Sequence, residues 1–446
     1  MNEMVKPMAA ADMRGRIAGL RCLRCDARYP ADHFTGDCPA CRGRAPSNLV
    51  VDYAGEPTAG VTKASIAAGP RSIWRYAHSL PVPAEAGISL GEGLTPLVPM
   101  PRLAARLELG GLHAKCEFAN PTGSFKDRLA SAAVSAGKAL FGARVIASSS
   151  SGNAGAAAAA YAARAGLPCI VFTLVGGAGP MMTQMQAYGA MVVAVADKAQ
   201  RWTLLEAGVR RFGWFPTSPF FGPVIGSNPY GIEGYKSLAY EIAEQLGWRV
   251  PDWMVLPVCY GDAMVGMARG FAELRRLGWI DRAPKLVAAE IYGSLAQAEQ
   301  EHRDDPPSMP RGYDTVAISI GAQQSTFQAL WAARETGGTV VRVPDEVLLR
   351  WHREIARQEG LFIEPSSATA LGAVELLRSQ GTIRPGEEVV CLITAGGLKH
   401  LEPAERANVP IPTVPPDLDQ VMKTIAQVYG ADANSLCSPP SQREKP

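Results

Sequence analysis

The sequence predicts an α/β protein built on parallel sheets with helices over both faces. Three observations lead there. Apolar segments of strand length alternate with helix-patterned segments along most of the chain. Hydrophobic residues make up 47% of the 446 residues and charged residues 19%, enough apolar surface for two or three packed domains and too much for a disordered chain. Several strands also end in short loops of glycine or serine that run directly into a helix, where open α/β sheets hold their ligands.

The first element is a cysteine pattern. Cys22, Cys25, Cys38 and Cys41 form two CxxC pairs separated by a 12-residue spacer. Two such knuckles supply four thiolates to a tetrahedral ion and leave no open position, so the site would be structural. A zinc ribbon is the leading reading; a rubredoxin-like iron site and disulfides are the alternatives. His33, in the spacer, reads as solvated. The ribbon lacks the interleaved aromatics and basic face of a nucleic-acid binder. With a net charge of +2 and no basic block, neither nucleic acid nor an anionic membrane is an expected partner. No apolar run reaches the roughly 18–20 residues of a spanning helix. The opening "MNEMVKPMAAADMRGRIAG" lacks the apolar centre of a secretion signal, so a cytoplasmic location is expected. Cys116, Cys169, Cys259 and Cys391 sit in apolar segments and read as buried small residues, and Cys437 is isolated near the end.

A Gly/Pro-punctuated connector follows, in which Trp74 and Tyr76 read as packing residues. The main body then alternates. "RVIASSSS" reads as a strand ending in a loop, "NAGAAAAAYAARAG" as a helix, "LPCIVFTLV" as a strand, "MMTQMQAYGA" as a helix and "MVVAVAD" as a third strand. Later strands are predicted at "WMVLPVC", "KLVAAEIY", "TVVRV" and "EVVCLITA", with helices such as "AMVGMARGFAELRRLG" and "VLLRWHREIARQEG" between them. "VGGAGP" at 175–180 reads as a mobile edge, and the proline-rich stretch after Pro403 as a loosely packed or disordered tail.

Four segments carry the chemistry. In "NPTGSFKDR", residues 120–128, a Pro/Gly turn and a ring precede Lys126 at the mouth of a helix. An amine placed there can be buried and its pKa lowered, which makes it a nucleophile. "SSSSGNAG", residues 148–155, ends a strand and opens a helix, so its N–H groups suit a carboxylate or a phosphate; the alternative is a serine-rich cap. "CYGDAMVG", residues 259–266, has the same strand–turn–helix form, although Asp262 must turn outward or cap the helix if an anion binds. In "ITAGGLKH", Thr394 ends a strand before two glycines.

Taken in order, these segments resemble the threonine synthase-like family of fold-type II pyridoxal-phosphate enzymes. "SLGEGLTPL", "NPTGSFKDR", "SSSGNAG", "NPYGIEG", "EPSSATALGAV" and "TAGGLK" match its signatures, and the amino-terminal CxxC pairs occur in some members. The resemblance implies a fold like that of the tryptophan synthase β subunit. Two doubly wound open-sheet domains would hold pyridoxal 5'-phosphate between them, next to the ribbon. The boundaries would be 1–50 for the ribbon, 51–130 with 230–405 for the larger cofactor-binding domain, 131–229 for a smaller mobile domain and 406–446 for the tail. By the same resemblance Lys126 would carry the cofactor and act as base, with Phe125 beside the ring. Asn153 would bond the ring's 3-oxygen, Cys259, Tyr260, Gly261, Asp262 and Ala263 would bind its phosphate, and Thr394 would meet its nitrogen. Ser150, Ser151, Gly152 and Asn153 would hold a small amino-acid substrate. A hydroxyl does not keep the ring nitrogen protonated, so elimination or replacement of a side-chain group is favoured over transamination. A homodimer is implied by analogy.

The chain departs from threonine synthases where their substrate phosphate binds. The motif N-S-x-N-P-x-R is here Ile225-Gly226-Ser227-Asn228-Pro229-Tyr230-Gly231, and Ala154 and Ala263 replace two further polar residues. Arginine grips phosphate with a two-pronged contact that glycine lacks. Ser227 or Lys236 could compensate in part, and the two glycines would make room for a bulkier side chain. The expected activity is a lyase or dehydratase acting on an amino acid without the homoserine phosphate. The alternatives are a true threonine synthase and a non-catalytic cofactor-binding relative.

Overall fold

The computed structural model describes residues 15–35, 37–55, 58–176, 179–220, 224–310 and 312–430. Strands β1 (Ile17–Cys22), β2 (Arg28–Tyr29) and β3 (Leu49–Tyr53) form an antiparallel sheet in the order β2-β1-β3, which frames the four cysteines. Strands β4 (Leu97–Pro99) and β5 (Gly111–Cys116) start a sheet that is completed much later in the chain. Between them and its completion, β6 (Ile146–Ser149), β7 (Cys169–Leu174), β8 (Met191–Val195) and β9 (Phe215–Pro216) form a four-stranded parallel sheet in the order β8-β7-β6-β9. Strands β10 (Trp253–Pro257), β11 (Lys285–Glu290), β12 (Thr339–Arg342) and β13 (Glu388–Ile393) then join the earlier pair in the order β12-β11-β10-β13-β5-β4. Only the edge pairing of β4 with β5 is antiparallel there. The seven strands expected from the apolar runs are all present; β1–β5 and the two-residue β9 are additional.

Period-2 burial builds the larger core. Met254, Leu256, Leu286, Ala288, Val390 and Leu392 enter one apolar cluster, while their neighbours Trp253, Val255, Val287, Ala289, Val389 and Cys391 enter another on the opposite face. Both faces are covered, which is why these strands read as unbroken apolar runs. The helices used below are α1 (Lys126–Phe141), α2 (Asn153–Ala165), α3 (Lys198–Phe212), α4 (Asp262–Arg276) and α5 (Pro365–Ser379). In α2 the run Ala156–Ala160 is 0–3% exposed, so small side chains let its backbone pack closely in the core of the four-stranded sheet.

Strand order places the site. In the four-stranded sheet the chain runs outward from β6 through β7 to β8, then returns to the other side of β6 at β9. In the six-stranded sheet it runs outward from β10 through β11 to β12, then returns beside β10 at β13. Each reversal opens a crevice at the carboxyl ends of its strands. The loops leaving β6, β10 and β13 are the three singled out in the sequence.

The described residues from 401 to 430 belong to a second compact unit. Where a loosely packed tail was expected, this unit contains helices at Glu402–Ala407 and Leu418–Tyr429, the latter capped by Asp417, which accepts the Gln420 N–H at 2.9 Å. Residues 431–446, including Cys437, lie outside the described residues, as do 177 and 178 within the expected mobile edge. Among the described residues no helix is long and apolar enough to cross a membrane.

Candidate active site

The segment "NPTGSFKDR" is strapped to the end of β13. Ser124 bridges to Ala395, and the Phe125 N–H donates to the Thr394 carbonyl at 2.9 Å. The loop closes on itself through Asp127, which accepts the Thr122 N–H at 2.7 Å and the Thr122 hydroxyl. Burial pushes the Asp127 carboxyl up to about 7, against those two donors. Lys126 is thereby fixed as the first residue of α1. Its Nζ lies 4.4 Å from the centroid of the Phe125 ring and 5.8 Å from that of Tyr235, and the two rings stack at 5.3 Å. Among the described residues this amine has no hydrogen bond or ion pair. Burial lowers its pKa, with Asp262 and Cys259 partly opposing the shift. It is a half-buried amine whose charged form is disfavoured.

Lys126 faces a cavity of about 400 Å³ that joins the two crevices. Phe125, residues 150–153, residues 259–263 and Thr394 all line it. Every residue expected to touch cofactor or substrate is therefore on one wall or another of a single space. At the β10 end, Gly261 has φ +77°, and a Cβ there would lie 2.5 Å from Ala329 Cβ. This tight turn sets the first turn of α4, whose N–H groups have no intrahelical acceptor, on the cavity wall. Asp262 does not spoil that cradle. Its carboxylate accepts the Ser227 N–H at 3.0 Å, the Ser227 hydroxyl at 2.6 Å and the Gln328 amide at 2.7 Å, which draws it away to the side.

The remaining polar groups are held from behind. Asn153 donates through Nδ2 to Glu364 at 3.0 Å, and its buried Oδ1 has no partner. Glu364 also accepts from the Ser319 and Ser366 hydroxyls. The Thr394 hydroxyl pairs with that of Ser367 at 2.9 Å, from the first turn of α5. Glu364 and Ser367 lie inside "EPSSATALGAV", a segment recognised in the sequence without a role for either residue. Arg201 and Trp202 of α3 also line the cavity, and nothing local in the sequence marked them.

The two substituted glycines make no room. A Cβ on Gly226 would lie 2.4 Å from the side-chain amides of Asn48 and Gln328, and one on Gly231 would lie 2.9 Å from Leu129 Cγ. Their neighbours already fill that space, so the expectation of a widened pocket is corrected. Lys236 does not compensate for the missing arginine either. It is buried between Glu233 at 2.7 Å and Glu273 at 2.8 Å. Ser227 does line the cavity but is tied to Asp262. Cys116, Cys169 and Cys391 are buried as expected, whereas Cys259 is half-buried and lines the cavity. Trp74 and Tyr76 are buried packing residues.

At the other end of the chain, the four cysteine sulfurs of residues 22, 25, 38 and 41 all lie within 4.8 Å of one another. The Cys22–Cys41 and Cys25–Cys38 pairs are 3.9 and 3.6 Å apart, close to the edge of ~3.8 Å that a tetrahedron of ~2.3 Å metal–sulfur bonds requires. The Arg24 N–H and the Tyr29 hydroxyl approach Cys22 and Cys38 at 3.3 and 3.1 Å, as outer partners of thiolates do. His33 takes no part; it stacks on Tyr29 at 5.0 Å.

Comparison with known proteins agrees with this geometry. The family described as pyridoxal-phosphate dependent enzyme matches residues 88–395. Threonine synthase of Methanosarcina acetivorans is 34% identical over 385 residues, covering 85% of this chain and 92% of that protein. Threonine synthase of Methanocaldococcus jannaschii is 33% identical, covering 87% of this chain and 94% of that protein. Among solved structures, maize serine racemase superposes with a TM-score of 0.61 at 18% identity, over 82% of this chain and all of that one. The processed form of threonine deaminase isoform 2 from Solanum lycopersicum also reaches 0.61 at 18% identity, over 77% and 91%. These last two share the fold. The chain belongs to the pyridoxal-phosphate-dependent enzymes of fold-type II and, among them, to the threonine synthase-like enzymes.

Proposed function

We propose that the chain is a lyase that eliminates or replaces a side-chain group of an amino acid lacking the homoserine phosphate, with Lys126 as both cofactor anchor and base. The residues fit pyridoxal 5'-phosphate. Lys126 would hold its aldehyde carbon, the N-terminus of α4 its phosphate, the second Asn153 amide N–H its 3-oxygen, and the Thr394–Ser367 hydroxyl pair its ring nitrogen. When bound, the cofactor withdraws electrons from the substrate's α-carbon. Burial lowers the pKa of Lys126 Nζ, which eases loss of its own proton and lets the freed amine take the proton from that carbon. The loop 150–153 at the start of α2 orients the substrate by its carboxylate, through N–H groups and hydroxyls. Phe125 and Tyr235 close the back of the site and exclude water.

The observation that carries this reading is the half-buried amine of Lys126, unpaired among the described residues, facing a cavity that also takes in the N-terminus of α4. The absence of the phosphate is supported by four positions. Ala154 and Ala263 present methyl groups to the cavity, and Gly226 and Gly231 are packed against neighbours. A second reading, threonine synthase acting on O-phosphohomoserine, is favoured by the relatives at 33–34% identity. A screen of amino acids against the holoenzyme separates the two, following cofactor absorbance with keto-acid and phosphate release. Keto-acid from an unphosphorylated amino acid supports the first reading; rapid phosphate from O-phosphohomoserine supports the second. Borohydride reduction followed by peptide mapping should label Lys126. An unlabelled Lys126 in protein saturated with cofactor would refute both. The proposal includes a structural zinc on the four cysteines, checked by metal analysis against iron, and a homodimeric assembly.

A further inference from the structure

Arg201 is the second cation on the cavity wall. It is 7% exposed, and its Nε is buried without a partner. Among the described residues no carboxylate pairs with its guanidinium. Burial accordingly lowers its pKa, and only the Tyr260 ring opposes that shift. An arginine buried this far ordinarily ends on an acid, because an unpaired buried charge is costly. The acids that line the same cavity are committed elsewhere. Asp262 is held by Ser227 and Gln328, and Glu364 by Ser319, Ser366 and Asn153. The cofactor phosphate has its own place at the start of α4. Arg201 therefore stands in the site with its fork of donors unused, on a helix that belongs to the opposite sheet from that cradle.

We propose that Arg201 grips a carboxylate at the far end of the substrate's side chain, so that the enzyme acts on an acidic amino acid. This rests on the reading that the site binds an amino acid on a cofactor held by Lys126. A carboxylate fits better than a phosphate for two reasons. One planar guanidinium matches one planar carboxylate and balances its single charge. A dianion needs further donors, and positions 154, 226, 231 and 263 supply none.

The test titrates the holoenzyme's cofactor absorbance with L-aspartate, L-glutamate and L-2-aminoadipate. L-asparagine, L-glutamine and L-2-amino-4-phosphonobutyrate serve as controls. One of the acids should bind at least ~10-fold more tightly than its amide or the phosphonate, as expected for a charge-assisted pair. Arg201→Met should weaken that acid ~10- to 100-fold. Amide binding, cofactor affinity and thermal midpoint should stay within twofold or a few degrees. Arg201→Lys should recover part of the loss, which a purely structural role would not give. The proposal falls if the acids and amides bind alike in both proteins. It also falls if Arg201→Met releases the cofactor, which would assign the guanidinium to the cofactor phosphate, or if the phosphonate binds tightest. Neutral amino acids that shift the spectrum without any preference for acids would defeat this proposal alone. If no amino acid shifts it, the reading of the site fails and takes this proposal with it.

Discussion

Lys126 and Arg128 are two residues apart on the first turn of α1, yet their surroundings are opposite: Arg128 is fully buried, and Lys126 is half-buried on the cavity wall. Arg128 donates to both oxygens of Glu117 at 2.7 Å and to both oxygens of Glu241 at 2.9 and 3.1 Å. Lys115 adds a second cation to Glu241 and donates to the Thr95 carbonyl at 2.7 Å and to Gln245 at 2.9 Å. Two cations and two anions cancel in a dry interior, and every donor has an acceptor. Among the described residues Lys126 forms no ion pair; the Phe125 and Tyr235 rings lie beside its amine, and Asp262 and Cys259 act on it without a hydrogen bond. Burial of charge is therefore not the mark of the active site here; burial without a partner is. Arg128 anchors the helix that carries Lys126, so one residue supplies the rigidity and the other the reactivity.

The largest expected effect breaks the reactive half of this comparison. Lys126→Ala removes the amine proposed to hold the cofactor and take the proton. Turnover should fall at least ~1000-fold. The visible absorbance of the attached cofactor should vanish after gel filtration. The thermal midpoint of the apoprotein should hold or rise, since the lost amine forms no ion pair or hydrogen bond among the described residues. A variant that retained turnover would remove Lys126 from the chemistry.

Breaking the other half should do the reverse. Arg128→Met leaves Glu117 and Glu241 buried with one cation between them and should cost about 3–5 kcal/mol of unfolding free energy. Denaturant titration of the apoprotein measures this. In the fraction that remains folded, cofactor attachment at Lys126 should survive. A loss below about 1 kcal/mol would mean that the network contributes little net stability.

Much of this contrast was legible in the sequence, and the unread part has a physical pattern. Lys126 was marked by its neighbours, because a turn, a ring and a helix start are local features. The cysteines were marked by spacing alone. The loops at 148–155 and 259–266 declared themselves as strand-to-helix turns, and the sheet order that brings them together follows from parallel α/β topology. Arg128 was adjacent to Lys126, but its partners are 11 and 113 residues away, so nothing local distinguished a network cation from a surface one. Arg201 and Glu364 were missed for the same reason. Gly226 and Gly231 were read as open space, which Asn48, Gln328 and Leu129 in fact fill, since a missing side chain does not reveal what has moved in beside it.

The pH dependence of stability sharpens the comparison between paired and unpaired burial among the acids. Burial alone would raise the Glu241 pKa, but Arg128 and Lys115 hold it at about 2. A carboxyl lowered from its ordinary value of 4.5 contributes stability that is present above about 4.5 and is lost as pH falls toward 2. Glu290, at the end of β11, forms no ion pair among the described residues; it accepts the Ala296 N–H at 2.7 Å, and burial raises it to about 7 against nearby backbone N–H donors and the charge of Arg342. Its contribution runs the other way. Stability is full below about 4.5 and declines as pH rises to 7, by about 3 kcal/mol for this one group. Asp127, raised to about 7 by the same cause, declines over a similar range. Glu290→Gln should remove roughly half of the decline between pH 4.5 and 7 and leave the acid-side loss untouched. Equal slopes in both proteins would show that Glu290 stays ionised in the fold.

The smallest expected effect comes from taking the same kind of pair to the surface. Arg210 and Glu206 meet at 2.7 Å one turn apart on α3, with side chains 73% and 37% exposed. The contact distance equals that of Arg128 with Glu117, so any difference in worth must come from surroundings rather than geometry. Water screens the exposed pair and solvates either residue left alone, and holding two long side chains together costs entropy. Arg210→Ala should therefore cost no more than ~0.5 kcal/mol, shrinking further in 1 M salt. The Arg128 variant should lose several times more and respond little to salt, because ions cannot reach its partners. Salt-dependent loss in the Arg128 variant would mean that the network is wetter than its burial indicates, and the distinction between Lys126 and Arg128 would then rest on pairing alone.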